Sequence, residues 1–208
     1  APGVNAYDKA DSETDEILSY DFEDGLSDKS ANEYDAETGK NAEVKDGELV
    51  LKGGESYIST PLDKVGPEKE LSFDITLTQP AEPGQILFEA EKDEDHEAYS
   101  THNIRIMEDG TLGFTREGYD YSFGYKLPVN QKMTLKIRTK NGSTVLIADG
   151  KEYKATGSFT YEGDVKKTGI TSSTLSLPLT RIGSDTNAVH AIIDNVNLSS
   201  TMSDGESS

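Results

Sequence analysis

The sequence predicts an all-β fold, a two-sheet antiparallel β-sandwich of the jelly-roll type, and three observations carry that prediction. Short apolar/polar alternations recur along the chain. Turn pairs such as Asp46-Gly47, Asp109-Gly110, Asn141-Gly142 and Asp149-Gly150 separate them, and no segment sustains a 3.6-residue period. Taken in order, Ile17 to Phe22 alternates with Leu18, Tyr20 and Phe22 on one face, and Gly25 stops it. Asp28 to Gly39 reads as a polar loop. Ala42-Glu43-Val44 turns through Asp46-Gly47 into Glu48 to Leu51, which Gly53-Gly54 is expected to end. Tyr57 to Pro61 reads as a separate edge strand, because proline removes a ladder donor. Leu71 to Leu77 has the cleanest alternation and is expected to be central, with Leu71, Phe73, Ile75 and Leu77 inward. Gln85 to Glu89, Asn103 to Met107, Thr134 to Thr139, Thr144 to Ile147, Leu175 to Leu179, Arg181 to Ser184 and Ala191 to Leu198 complete the set.

A length of 208 residues fits one domain. The ends differ from the middle: residues 1–16 read as an acidic linker, 17–198 as the jelly-roll domain and 199–208 as a polar linker. With 39 acidic and 20 basic residues the net charge is −19, which repels nucleic acid and anionic membrane surfaces. No apolar run is long enough to insert into a membrane. The chain has no cysteine, so it carries no disulfide framework, thiolate nucleophile or cysteine zinc site.

The densest chemistry lies in Leu112 to Lys126, read as two short strands around a Gly-Tyr-Asp turn. Phe114, Tyr119, Tyr121, Phe123 and Tyr125 stand beside Arg116, Glu117 and Asp120. A pyranose has an apolar C–H face that stacks on a ring and hydroxyls that take polar partners, so the combination suits a sugar. The same alternation also suits half-buried rings packing across a hairpin.

The order of landmarks resembles the laminin-G-like, concanavalin-A-like jelly-roll domains appended to bacterial glycoside hydrolases, particularly family 20 β-hexosaminidases and lacto-N-biosidases of gut bacteria. The matching pieces are Leu18 to Glu23, Asp28 to Asn32, Leu112 to Glu117, Tyr125 to Pro128, Leu177-Pro178-Leu179-Thr180-Arg181-Ile182-Gly183-Ser184 and Ile193 to Val196. The resemblance implies that first and last strands lie side by side and that Glu23 and Asp194 hold a structural Ca²⁺, with Asp28, Ser30, Asn32, Asn41 and Asp46 as candidates to complete its six to eight oxygens. It also implies an extracellular or cell-surface bacterial setting.

Jelly rolls also serve as endoglycanases, often through Glu-x-Asp-x-Glu on one strand. The nearest run here, Glu89 to Asp95, places Lys92 and Glu94 where apolar residues would have to face the core, so it reads as a solvated loop and no catalytic residue is assigned. His96, His102 and His190 have no metal-ligand spacing. The expected function is therefore a non-catalytic carbohydrate-binding module, tethering a catalytic domain of the same chain to host or dietary glycans. Its expected contacts are Arg116, Glu117, Tyr119, Asp120 and Tyr121, with His102, Asn103 and Arg181 as neighbours. The alternative is a spacer that packs on the catalytic domain and binds no sugar.

Overall fold

The computed structural model describes residues 15–91, 102–116, 119–170 and 173–201. They form seventeen strands and no helix: β1 (Glu16–Tyr20), β2 (Glu37–Lys40), β3 (Ala42–Lys45), β4 (Glu48–Ser59), β5 (Lys64–Val65), β6 (Lys69–Leu77), β7 (Ile86–Glu89), β8 (Ile104–Ile106), β9 (Leu112–Arg116), β10 (Tyr119–Ser122), β11 (Met133–Lys140), β12 (Ser143–Ala148), β13 (Lys151–Lys154), β14 (Thr156–Glu162), β15 (Val165–Ile170), β16 (Leu177–Pro178) and β17 (Arg181–Ser200).

Strand β17 joins the two layers of an antiparallel sandwich. Its first part, Arg181 to Ala188, pairs β7 and leads through β8, β9, β10 and β14 to β15. Its second part, Ala191 to Ser200, pairs β6 and leads through β11 and β12 to β13. Strand β4 runs beside both parts, and β1 completes that side, with Leu18 opposite Leu198 and Tyr20 opposite Val196. The first and last strands are thus neighbours. Across the interior, the Phe73 ring of β6 meets the Phe88 ring of β7 edge-on, with centroids 4.9 Å apart.

Two expected strand ends are instead bends. Strand β4 passes through Gly53-Gly54, both at positive φ, and merges the runs read as separate strands. Its inward phase shifts there, from Leu49 and Leu51 to Ser56 and Ile58, as an inserted residue requires. Opposite it, β17 has a bulge between Ser184 and Ala188, so the two strands bend together from one layer to the other. Gly183, at φ +99°, allows their close approach, since a Cβ there would overlap the carbonyl oxygen of Ser56.

The segment expected as a loop from Asp28 to Gly39 is one only as far as residue 36, since β2 begins at Glu37, and it is organised by one carboxylate. Asp28 is buried and accepts from the backbone N–H groups of Ser19, Ser30 and Tyr34, each at 2.8–2.9 Å, and from the Ser30 hydroxyl at 2.8 Å. The loop lies over Tyr20, whose hydroxyl donates to the Tyr34 carbonyl oxygen at 2.5 Å. Beyond the expected end of the domain, β17 runs to Ser200, and the Thr201 N–H donates to the Glu68 carbonyl at 2.9 Å. Among the described residues no helix is long and apolar enough to cross a membrane.

Candidate functional site

The aromatic run forms β9 and β10, but their register differs from the one expected. Arg116 pairs with Tyr119, so Tyr119 and Asp120 are strand residues. Glu117, expected among the contacts, lies outside the described residues. Alternation then sorts the side chains: Phe114 and Tyr121 point inward, while Thr115, Asp120 and Ser122 point outward. Phe123 is buried with the inward rings.

Tyr121 requires correction as a sugar-stacking residue. It is 8% exposed and stacks on Phe114 with centroids 5.2 Å apart, and the backbone of Gly157 lies against its ring. With one face on Phe114 and so little exposed surface, the ring is not a platform for a pyranose. Tyr119 is half-buried and packs against the core. Tyr125 meets Tyr153 edge-on at 5.3 Å.

The polar face of the same hairpin is built differently. On β8 the order Ile104-Arg105-Ile106 turns Arg105 outward, opposite Gly113. From there its guanidinium donates to Thr115 Oγ1 at 2.6 Å and to Asp120 Oδ1 at 3.2 Å, while Thr115 Oγ1 donates to the same Asp120 oxygen at 2.6 Å. Further along the face, Thr111 Oγ1 lies 2.6 Å from Asp109 Oδ1 and 2.5 Å from Ser122 Oγ. The Thr111 hydroxyl, aided by its N–H, holds the Asp109 carboxyl below its usual range. An open cleft of about 260 Å³ lies here, lined by Met107, Glu108, Asp109, Asp120, Tyr121, Ser122 and Thr156. It joins an apolar wall to carboxylates and hydroxyls fixed by neighbours, the chemistry that orients a polyhydroxyl ligand. Tyr121 contributes to the lining. Arg105, which positions Asp120, was missed by the sequence reading; the signal was its place between two isoleucines of a short strand.

The remaining expected contacts lie elsewhere. Arg116 donates to Ser173 Oγ at 2.8 Å, and its charge and that of Lys64 act on His102. His102 accepts the Ser176 N–H on Nδ1 at 3.1 Å. Burial first, then Lys64 and Arg116, push its pKa down to about 4. The unfolded chain therefore binds the proton more readily, so this group costs stability as pH falls from about 6.5 to about 4. His102→Asn keeps an acceptor and suits the backbone φ of 52° but does not titrate. Urea midpoints of this variant are expected to fall less over that pH window than those of the wild type.

Asn103 and Arg181 are structural in their placement. Asn103 Oδ1 accepts the Ala90 N–H at 3.0 Å. Arg181 pairs with Glu89 at 2.7 Å and with Glu91, and its guanidinium lies 5.5 Å from the centroid of the Tyr57 ring. Both first acids of the run tested as an active site are thus engaged by one arginine; residues 92–95 lie outside the described residues. The Leu177 to Ser184 motif consequently has a structural purpose: Thr180 donates to Asp63, Ser184 donates to Glu89, and Gly183 permits the close crossing.

The structure brings β1 beside β17 and gives each expected calcium ligand its own surroundings. The Glu23 carboxylate lies over Gly47. Asp194, whose carboxyl is raised by burial, neighbours Asp74, Asp21 and Lys132. Of the loop candidates, Asp28 has four donors on its carboxylate, the Ser30 hydroxyl serves Asp28 and the Ile17 carbonyl, and Asn32 Nδ2 donates to that same carbonyl. The carbonyl of Asn41 accepts from Ser56, and Asp46 opens the β3–β4 turn at φ 53°. Among the described residues no group of three or more His, Cys, Asp or Glu side chains is placed to hold a metal ion.

Neither a protein-family model nor a curated protein matches the sequence. Solved structures do match the fold. Domain 4 of AbnA, a GH43 extracellular arabinanase from Geobacillus stearothermophilus solved in complex with arabinotriose, is similar with a TM-score of 0.62 and 18% identity over 89% of this chain and 92% of that one. Trypanosoma rangeli sialidase in complex with sialic acid gives 0.55 and 13%, over 89% of this chain but 31% of its own length. The chain therefore shares the β-sandwich found in domains of glycoside hydrolases.

Proposed function

We propose that this chain is a non-catalytic carbohydrate-binding domain, carried by a larger secreted bacterial glycoside hydrolase and holding that enzyme near its glycan. The observation that carries the reading is the cleft of about 260 Å³ between residues 107–109, β10 and the start of β14, where Asp120, Asp109 and Ser122 are oriented by Arg105 and Thr111. A similar fold of nearly the same length, solved with arabinotriose, supports a saccharide as the ligand. The engagement of Glu89 and Glu91 by Arg181 supports a non-catalytic role. A family 20 host and a gut bacterial source belong to the proposal through the residue resemblance. A structural Ca²⁺ at Glu23 and Asp194 belongs to the proposal in the same way.

The spacer reading draws on a different observation, the burial of Phe114, Tyr121 and Phe123 in the core. A glycan array followed by calorimetric titration with arabinotriose separates the two. Carbohydrate binding gives a selective hit that Asp120→Asn weakens by at least about tenfold, the loss of one charge-assisted hydrogen bond, with little change in Tm. A spacer gives a blank array at high protein concentration.

A further inference from the structure

The outer face of β11, β12 and β13 is charged unlike the rest of this acidic chain. Alternation turns Lys136, Arg138 and Lys140 of β11 outward, repeating every two residues, about 6.8 Å along the strand. Cross-strand pairing sets Arg138 opposite Val145, and Val145 opposite Lys154. Lys140 stands opposite Ser143. An open cavity of about 240 Å³ lies among Arg138, Lys140, Ser143, Val145, Glu152 and Lys154. Its frame is braced. Arg138 donates through Nε and Nη2 to Glu70 Oε1 at 3.1 and 2.8 Å. The Thr174 hydroxyl ties the turn after β11, accepting the Gly142 N–H at 2.6 Å and donating to the Lys140 carbonyl at 2.8 Å. Among the described residues Lys140 and Lys154 have no ion-pair partner, although the chain carries 39 carboxylates.

We propose that this cavity binds a uronate residue of an acidic polysaccharide, with its carboxylate between Lys140 and Lys154 and its hydroxyls on Ser143 and Glu152. The charge at the cavity is local. At about 0.1 M salt the Debye length is about 10 Å, so the acids elsewhere on the surface are screened while the lysines at the cavity are not. Glu152 decides the class of anion. It accepts from hydroxyls and repels a ring carrying several sulfates, whereas a uronate has one charge per ring and free hydroxyls. Val145, half-buried between the cations, offers an apolar contact to the ring.

The site is separate from the cleft beside β10, so its test does not depend on the function proposed there. Titration of the full chain with tetragalacturonic acid in about 0.1 M salt is expected to show binding. Lys140→Glu with Lys154→Glu is expected to weaken it about tenfold or more, because each reversal replaces an attraction by a repulsion. Both side chains are exposed, so Tm is expected to hold; the single Lys140→Gln and Lys154→Gln variants provide the same reading with a smaller loss. The methyl ester of the oligomer and dextran sulfate are expected to bind more weakly than the free acid. No binding of the free acid, equal binding of its methyl ester, tighter binding of dextran sulfate, or indifference to the double reversal overturns the proposal.

Discussion

Asp28→Ala is expected to lower the unfolding free energy by about 4 kcal/mol, because it removes the acceptor of three backbone N–H groups and one hydroxyl at a buried position. Each donor loses a charge-assisted bond, and water replaces only part of the loss in so enclosed a site. The effect spreads through the loop. The Tyr34 N–H held by Asp28 adjoins the carbonyl that receives the Tyr20 hydroxyl, and Tyr20 fills the core where β1 meets β17. Asp28→Asn is expected to cost less, about 2 kcal/mol, since one oxygen remains while an amide N–H₂ group faces the other donors. Urea unfolding measures both; a cost below about 1 kcal/mol for the alanine variant would show that the loop holds without its carboxylate.

Arg181→Ala is expected to cost about 3–5 kcal/mol, the range for breaking one side of a buried ion pair. The side chains of Arg181 and Glu89 are 14% and 7% exposed, so the orphaned Glu89 cannot recover its hydration. It keeps Ser184 Oγ and the Asp185 N–H, which limits the loss. Glu89→Gln added to Arg181→Ala is expected to recover part of the stability by removing the unpaired charge, so the double variant is less destabilised than the two single costs predict. Simple additivity in urea midpoints would mean that the arginine acts through its packing on Tyr57 instead.

Much of the sandwich was legible because its core strands alternate without interruption. Leu71 to Leu77 and Met133 to Thr139 bury every second residue, and their register brings Leu135 opposite Phe73. The bent strands were not legible as single elements. Gly53-Gly54 and the Ser184 to Asn187 stretch carry the composition of strand ends, and only their facing each other converts two ends into one shared bend. Strands β2 and β13 escaped for another reason: Glu37 to Lys40 and Lys151 to Lys154 present no regular buried face, so no period marks them.

The candidate site divides along the same line. Asp120 was legible as a polar residue in an aromatic hairpin, and it lines the cleft. Arg105 was not, because the pairing of β8 with β9 that carries it to Thr115 and Asp120 depends on register between strands. Tyr121 was misread because the register, with Arg116 opposite Tyr119 and Phe114 opposite Tyr121, sets which side chains face outward. The specificity of the Leu177 to Ser184 motif was recognised, but its structural role needed Glu89 and Asp63 in space.

Amide shift mapping of the isotope-labelled chain during titration with arabinotriose tests the proposed site directly. Saturable shifts centred on Met107 to Thr111, Asp120 to Ser122 and Thr156, and weakened by Asp120→Asn, are the expected result. Shifts confined to other surfaces would contradict that placement, and an unchanged spectrum with every saccharide that the array offers would contradict carbohydrate binding itself.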